Sequence, residues 1–157
     1  MSAAGLHLIV RLAGERIALP AAEIDSVVEI DLLTPVPGTP QHVAGLAALR
    51  SRVLTVIDGR AALGLPPGGV PPAAEAVMLS HEGHCYALLV EAVEDAVEIA
   101  SPVEPLRAAP AAAWARVTRG IVAYAGETML VIAPGSLVGG PGVHTAEPVN
   151  PALTSTA

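Results

Sequence analysis

Few side chains in this chain could do chemistry, and the densest group is His81-Glu82-Gly83-His84-Cys85. Imidazole and thiolate suit zinc, so the stretch reads first as a metal site. Its spacing argues otherwise, because the residues share one hairpin tip, alternate between faces and lack the separated pairs that zinc sites use. A solvated turn accounts for them fully. Glu91, Glu94, Asp95 and Glu98 form an acidic stretch that could hold a cation or recruit a basic partner, but such runs are usually a solvated face. Asp58 follows an apolar run and could serve as an acid; no base accompanies it, and a helix N-cap suits it better. His7, His42 and His144 have no partner evident in the sequence. There is no glycine-rich phosphate loop, no Gly-x-Ser-x-Gly elbow and no paired cysteine motif. The expectation is a protein that is not an enzyme and holds no metal or cofactor.

The elements that must position these groups come in two copies. Ala44 to Asp58 (AGLAALRSRVLTVID) matches Arg119 to Ala133 (RGIVAYAGETMLVIA) at an offset of 75, placing Gly45 on Gly120 and Val56-Ile57 on Val131-Ile132. Leu8 to Leu19 matches Val77 to Leu88 at an offset of 69, with Gly14 on Gly83. A six-residue insertion between Ile99 and Gly120 reconciles the offsets. Such a repeat predicts two structural units, with halves near 6–66 and 75–138, and a cleft between them. Leu8–Leu12 and Ile17–Leu19 flank a glycine turn and read as a hairpin, as do Val77–Leu79 and Tyr86–Val90. Val53–Ile57 and Thr128–Ile132 read as strands buried on both faces. Asp58 to Leu65 reads as a short helix stopped by Gly64, and Pro102 to Trp114 as a loop with room for one helical turn. The class is all-β, built as two small barrels.

Composition narrows the partners. A barrel of roughly 60 residues buries too little surface alone, so two should pack together within this 157-residue chain. The net charge of −7, with no lysine and only Arg50 and Arg52 close together among the arginines, argues against nucleic acid. One cysteine, Cys85, excludes an internal disulfide and fits a reducing compartment. No charged leader and no bilayer-length apolar segment occur, so the expectation is a cytoplasmic protein without membrane insertion. From Gly139 onward periodicity disappears, and 141–157 is expected to be a disordered tail following a domain at 1–140.

The stretch VAGLAALRSRVLTVIDGRAALGL, Val43 to Leu65, resembles the signature segment of the CheW-like chemotaxis coupling family through Gly45, Leu46, Leu49, Arg50, Val56, Ile57, Asp58 and Arg60. Val27-Val28-Glu29-Ile30 followed by Thr34-Pro35-Val36-Pro37-Gly38-Thr39-Pro40 is similar to the segment preceding it in that family, and Arg119-Gly120-Ile121 to its second-half glycine motif. The resemblance spans about Leu6 to Val138. It implies two SH3-like five-stranded barrels around a shared core. It also implies an adaptor that binds the cytoplasmic tip of chemoreceptors and the regulatory domain of a histidine kinase. Carried over by position, Val27, Val28, Gly45 and Arg50 would form or support the partner surface.

The chain departs from that pattern in places. Ala48 stands where the family has asparagine, Gly59 where it has leucine, and Ser51 where it has glycine after the arginine. Serine resists positive φ, which implies a differently shaped turn at Arg50 and an altered partner contact. A second functional reading, from another class, is a small-molecule or peptide-sensing module that uses the cleft between the barrels. A third is a regulatory domain that pairs with kinase domains but with no receptor.

Overall fold

The computed structural model describes residues 5–141. The chain runs β1 (Gly5–Leu12), β2 (Glu15–Pro20), a 3-10 turn (Ala21–Glu23), β3 (Ser26–Ile30), β4 (Val43–Leu49), β5 (Arg52–Asp58) and α1 (Gly59–Ala62). It continues through β6 (Ala74–His81), β7 (His84–Leu89), β8 (Ala92–Ile99), α2 (Ala112–Ala115), β9 (Thr118–Tyr124), β10 (Glu127–Ile132) and α3 (Pro134–Val138). The strands form two five-stranded sheets, ordered β8-β1-β2-β10-β9 and β3-β6-β7-β5-β4. Exchanging β1–β5 with β6–β10 converts one order into the other, as a duplicated chain requires.

The sheets do not coincide with the sequence halves. Hairpin β1–β2 joins β8, β9 and β10 in the first sheet, and β6–β7 joins β3, β4 and β5 in the second. Each repeat therefore lends its leading hairpin to the other, through the β1–β8 and β2–β10 pairings on one side and β3–β6 and β5–β7 on the other. Both sheets curl into barrels in the same way. The segment leaving β3 bridges β4 at Thr34–Leu46, and the segment leaving β8 bridges β9 at Glu104–Ile121.

Alternation of side chains builds three cores from these strands. Val10, Leu12, Ile17 and Leu19 of the first sheet meet Ile57, Val77, Leu79 and Leu88 of the second in a cluster shared between the barrels. The intervening residues point the other way: Ile9 and Ala18 fill the first barrel, and Ala76, Ala87 and Leu89 the second. A fully buried side chain of this size contributes roughly 1.5–3 kcal/mol, so the shared cluster binds the barrels into one body. The strands expected to be buried on both faces are so only towards their ends, where Val56-Ile57 and Val131-Ile132 lie; Val53 is 66% exposed. The six-residue insertion falls in the β8–β9 connection, which carries α2 and sends Trp114 into the shared core.

The C-terminal edge of this core is ordered further than the sequence suggests. Gly139 caps α3, and Gly140 is buried at φ +80 against the His42 ring, leaving no space for a side chain. The remainder of the expected tail, 142–157, lies outside the described residues, as does His144.

Candidate functional site

Four two-residue turns close the hairpins, and all share one shape. Ala13-Gly14, Glu82-Gly83 and Ala125-Gly126 each place two residues at positive φ, as a type I′ turn demands. Arg50-Ser51 does the same, at φ +50 and +70. The expectation that serine would reshape this turn is thus corrected. The β4–β5 ladder runs in register down to Leu49–Arg52 and imposes the left-handed conformation that serine resists.

Beside that turn, a groove of about 550 Å³ opens between β3 and the β4–β5 tip. It is lined by Val27, Val28 and Glu29 of β3, Leu49, Arg50 and Arg52 of the turn, and Met78 of β6. Three of the four residues expected at a partner surface meet here. Val27 is 42% exposed, whereas Val28 is half-buried and packs on the core of the second barrel, so the two valines face opposite ways. The fourth, Gly45, lies elsewhere. It is buried at a bulge in β4, at φ +152, where a Cβ would stand 2.5 Å from the Thr34 carbonyl oxygen. Gly120 makes the equivalent approach to Glu104. Glycine at these two positions permits the bridges that close the barrels.

Arg50 and Arg52 differ from the other arginines. Arg11, Arg16, Arg60, Arg107 and Arg119 lie within 4 Å of carboxylates. Arg116 donates to the Ala62 and Ser136 carbonyl oxygens at 2.8 and 2.6 Å, tying α1 to α3 while burial pushes its pKa down. No carboxylate among the described residues pairs with Arg50 or Arg52. A chain of net charge −7 therefore presents two cations, two residues apart, in a groove that also holds Glu29 and the apolar Val27, Val28, Leu49 and Met78.

Several of the other groups singled out in the sequence have structural partners among the described residues. Asp58 caps α1, its Oδ1 accepting from the Ala61 N–H and its Oδ2 from the Gly68 N–H, both at 3.0 Å. Gly59 replaces the family's leucine where a Cβ would come 2.5 Å from the Leu89 carbonyl oxygen. His7 bonds the Gly5 carbonyl through Nδ1 at 2.9 Å, and His42 bonds the Val138 carbonyl through Nε2 at 3.0 Å. Burial, with Arg116 nearby, lowers the pKa of His42 despite that hydrogen bond. His81 and His84 face each other across their hairpin, while the neighbouring Cys85 packs against the core of the second barrel. Among the acidic residues, Glu94 pairs with Arg11 and Arg16, and Glu91 accepts from the Gly14 N–H.

At the barrel junction, a pocket of about 300 Å³ is lined by Leu12, Asp58, Arg60, Glu75, Leu89 and Glu91, among others. Its carboxylates accept hydrogen bonds from the chain itself, Asp58 as above and Glu75 from the Val93 N–H. The Arg60 Nε donates to the Pro66 carbonyl. Convergent polar groups awaiting a ligand would mark a small-molecule site, and here these groups are engaged within the chain.

Sequence reasoning missed the isolation of Arg50 and Arg52, although Arg52 stands where the repeat offset places Glu127 in the other copy. It missed Arg116 entirely, since nothing in the sequence announces an arginine that bonds only carbonyls. Among the described residues, no helix is long and apolar enough to cross a membrane.

Comparison with known proteins places this geometry. No curated protein matches the chain. Among solved structures, the scaffolding protein TtCheW from Thermoanaerobacter tengcongensis superposes with a TM-score of 0.76 at 21% identity, over 90% of this chain and 97% of that one. The likeness establishes the fold as two SH3-like barrels. The CheW-like domain family matches residues 6–140, and the chain belongs to that family.

Proposed function

We propose that this protein is a cytoplasmic, non-enzymatic adaptor that links the cytoplasmic tip of a chemoreceptor to the regulatory domain of a histidine kinase, at receptor–kinase clusters. Membership of a family of coupling scaffolds supports the adaptor role. The observation that carries the choice of surface is the groove beside Arg50, where an exposed valine and two unpaired arginines adjoin apolar floor residues. Val27 and Arg50 present the docking surface, Val28 backs it from the core of the second barrel, and Gly45 supports it by fixing the path of β4. An exposed apolar patch with charge at its rim suits a reversible protein contact.

Titration calorimetry with a purified receptor cytoplasmic fragment and a kinase regulatory domain from the same organism tests this. Arg50→Glu reverses the rim charge and should weaken association at least tenfold without lowering the melting temperature. Val27→Asp should spare the fold and weaken binding. Val28→Asp should destabilise the fold by about 3 kcal/mol, because it places a charge against the core of the second barrel. Unchanged affinity for both partners in Arg50→Glu and Val27→Asp would move the docking surface elsewhere.

A further inference from the structure

Three of the four hairpin turns have glycine at their second left-handed position; the turn beside the groove has Ser51. Holding an L-residue there strains the backbone, and glycine would remove that strain. A serine can offset part of such a cost through a hydrogen bond from its own hydroxyl. Among the described residues the Ser51 hydroxyl makes none, and the side chain is exposed. The fold therefore gains nothing visible from serine at this position. Strain retained at an exposed tip points outward, to something the tip touches. Its two neighbours in sequence, Arg50 and Arg52, line the groove and have no carboxylate partner.

We propose that Ser51 is itself a partner contact: exposed at the turn between Arg50 and Arg52 in sequence, beside the groove rather than in its lining, its hydroxyl donates to a carboxylate on an acidic segment of the protein docked there. The proposal rests on the adaptor reading above and assigns a recognition chemistry to that surface. Guanidinium groups fork to carboxylates, and an exposed hydroxyl on the same turn adds a directional donor that glycine cannot supply. Val27, Val28, Leu49 and Met78 call for apolar side chains beside the acidic ones, and Glu29 of β3, in the same lining, confines the acidic ones to the side of the turn.

Two variants of the full chain separate this from a merely structural serine. Ser51→Gly should melt higher than wild type, yet bind the receptor fragment or the kinase domain about tenfold more weakly, the loss expected for one hydrogen bond to a charged group. Ser51→Ala should weaken binding by a similar factor without the gain in melting temperature. A Ser51→Gly protein that melts higher and binds at least as tightly as wild type would overturn the proposal. Wild-type protein that binds neither partner would instead overturn the adaptor reading. A blocked peptide alternating glutamate and leucine then serves as the probe, against its glutamine counterpart. Amide shifts at Arg50–Val53 with the glutamate peptide alone would support the proposal. Equal shifts with both peptides, no shifts, or the same shifts with inorganic phosphate would overturn it.

Discussion

The two barrels answer the same structural problem with different charges. In the first sheet, Glu94 of β8, Arg11 of β1, Arg16 of β2 and Glu127 of β10 form one chain of ion pairs across four adjacent strands. The hydrogen bond from Arg16 lowers the Glu94 pKa, and that of Arg16 rises in return. The repeat offsets place Asp25, Ser80, Cys85 and Arg52 at the equivalent positions of the second sheet. There Ser80 donates to Asp25 at 3.2 Å, Cys85 takes the place of the bridging arginine, and Arg52 stands alone. The turn residues diverge in step: Tyr124-Ala125-Gly126 at one tip, with the tyrosine packed on its barrel core, and Leu49-Arg50-Ser51 at the other. Duplication preserved the backbone of both ends. One end satisfies its charges internally, and the other leaves Arg50 and Arg52 without a carboxylate partner among the described residues.

The equivalence of the backbones is the first thing to break. Gly45→Ala and Gly120→Ala should each cost about 3 kcal/mol in denaturant unfolding, since both force a Cβ against a carbonyl on the bridging segment. A variant that leaves stability intact would mean that the two closures are not equivalent. Next is mild acid, at about pH 6, where the asymmetry lies at His42, which is matched by Val117 in the other repeat. The folded pKa of His42 is depressed, so its neutral form is favoured in the fold. Stability is complete above the unfolded value of about 6.5 and falls as pH drops below it, with a slope of at most about 1.4 kcal/mol per pH unit. His42→Gln should flatten that slope. Third, Ser51→Gly should stabilise by about 1 kcal/mol, and Gly126→Ser should cost a similar amount, if both turns hold the same left-handed shape. Smallest is the ionic chain. Glu94→Gln should lower the melting temperature slightly at low salt and not at high salt, whereas Arg52→Ala should leave it unchanged at either.

Much of this was legible because local signals carried it. Glycines at fixed offsets marked the hairpins, Asp58 before Gly59 to Ala62 marked the cap, and the shift from 69 to 75 located the α2 insertion. The hairpin exchange was not legible. An alignment of repeats shows which strands are equivalent but not which copy each one pairs with. The shape of the Arg50-Ser51 turn was misjudged because the β4–β5 register overrides the local preference of serine. Alternation put Val27 and Val28 on opposite faces of β3, but which of them faces the core followed only from the pairing of β3 with β6. The roles of His42 and Arg116 depended on carbonyl groups of α1 and α3, whose positions follow from packing rather than from any motif.

The hairpin exchange also bears on how the chain comes to be folded. The partners of β1 and β2 in their sheet, β8 and β10, lie some 70 or more residues downstream of β2. At about 5–20 residues per second, the ribosome takes several seconds to deliver them. Until then the apolar side chains of the first hairpin have no sheet to join, and the first three strands of the other barrel wait only for β6 and β7. The second barrel can therefore close during synthesis while the first cannot. An N-terminal half expressed alone would leave that hairpin stranded and prone to aggregate, and nascent chains should call on a chaperone until the last strand emerges.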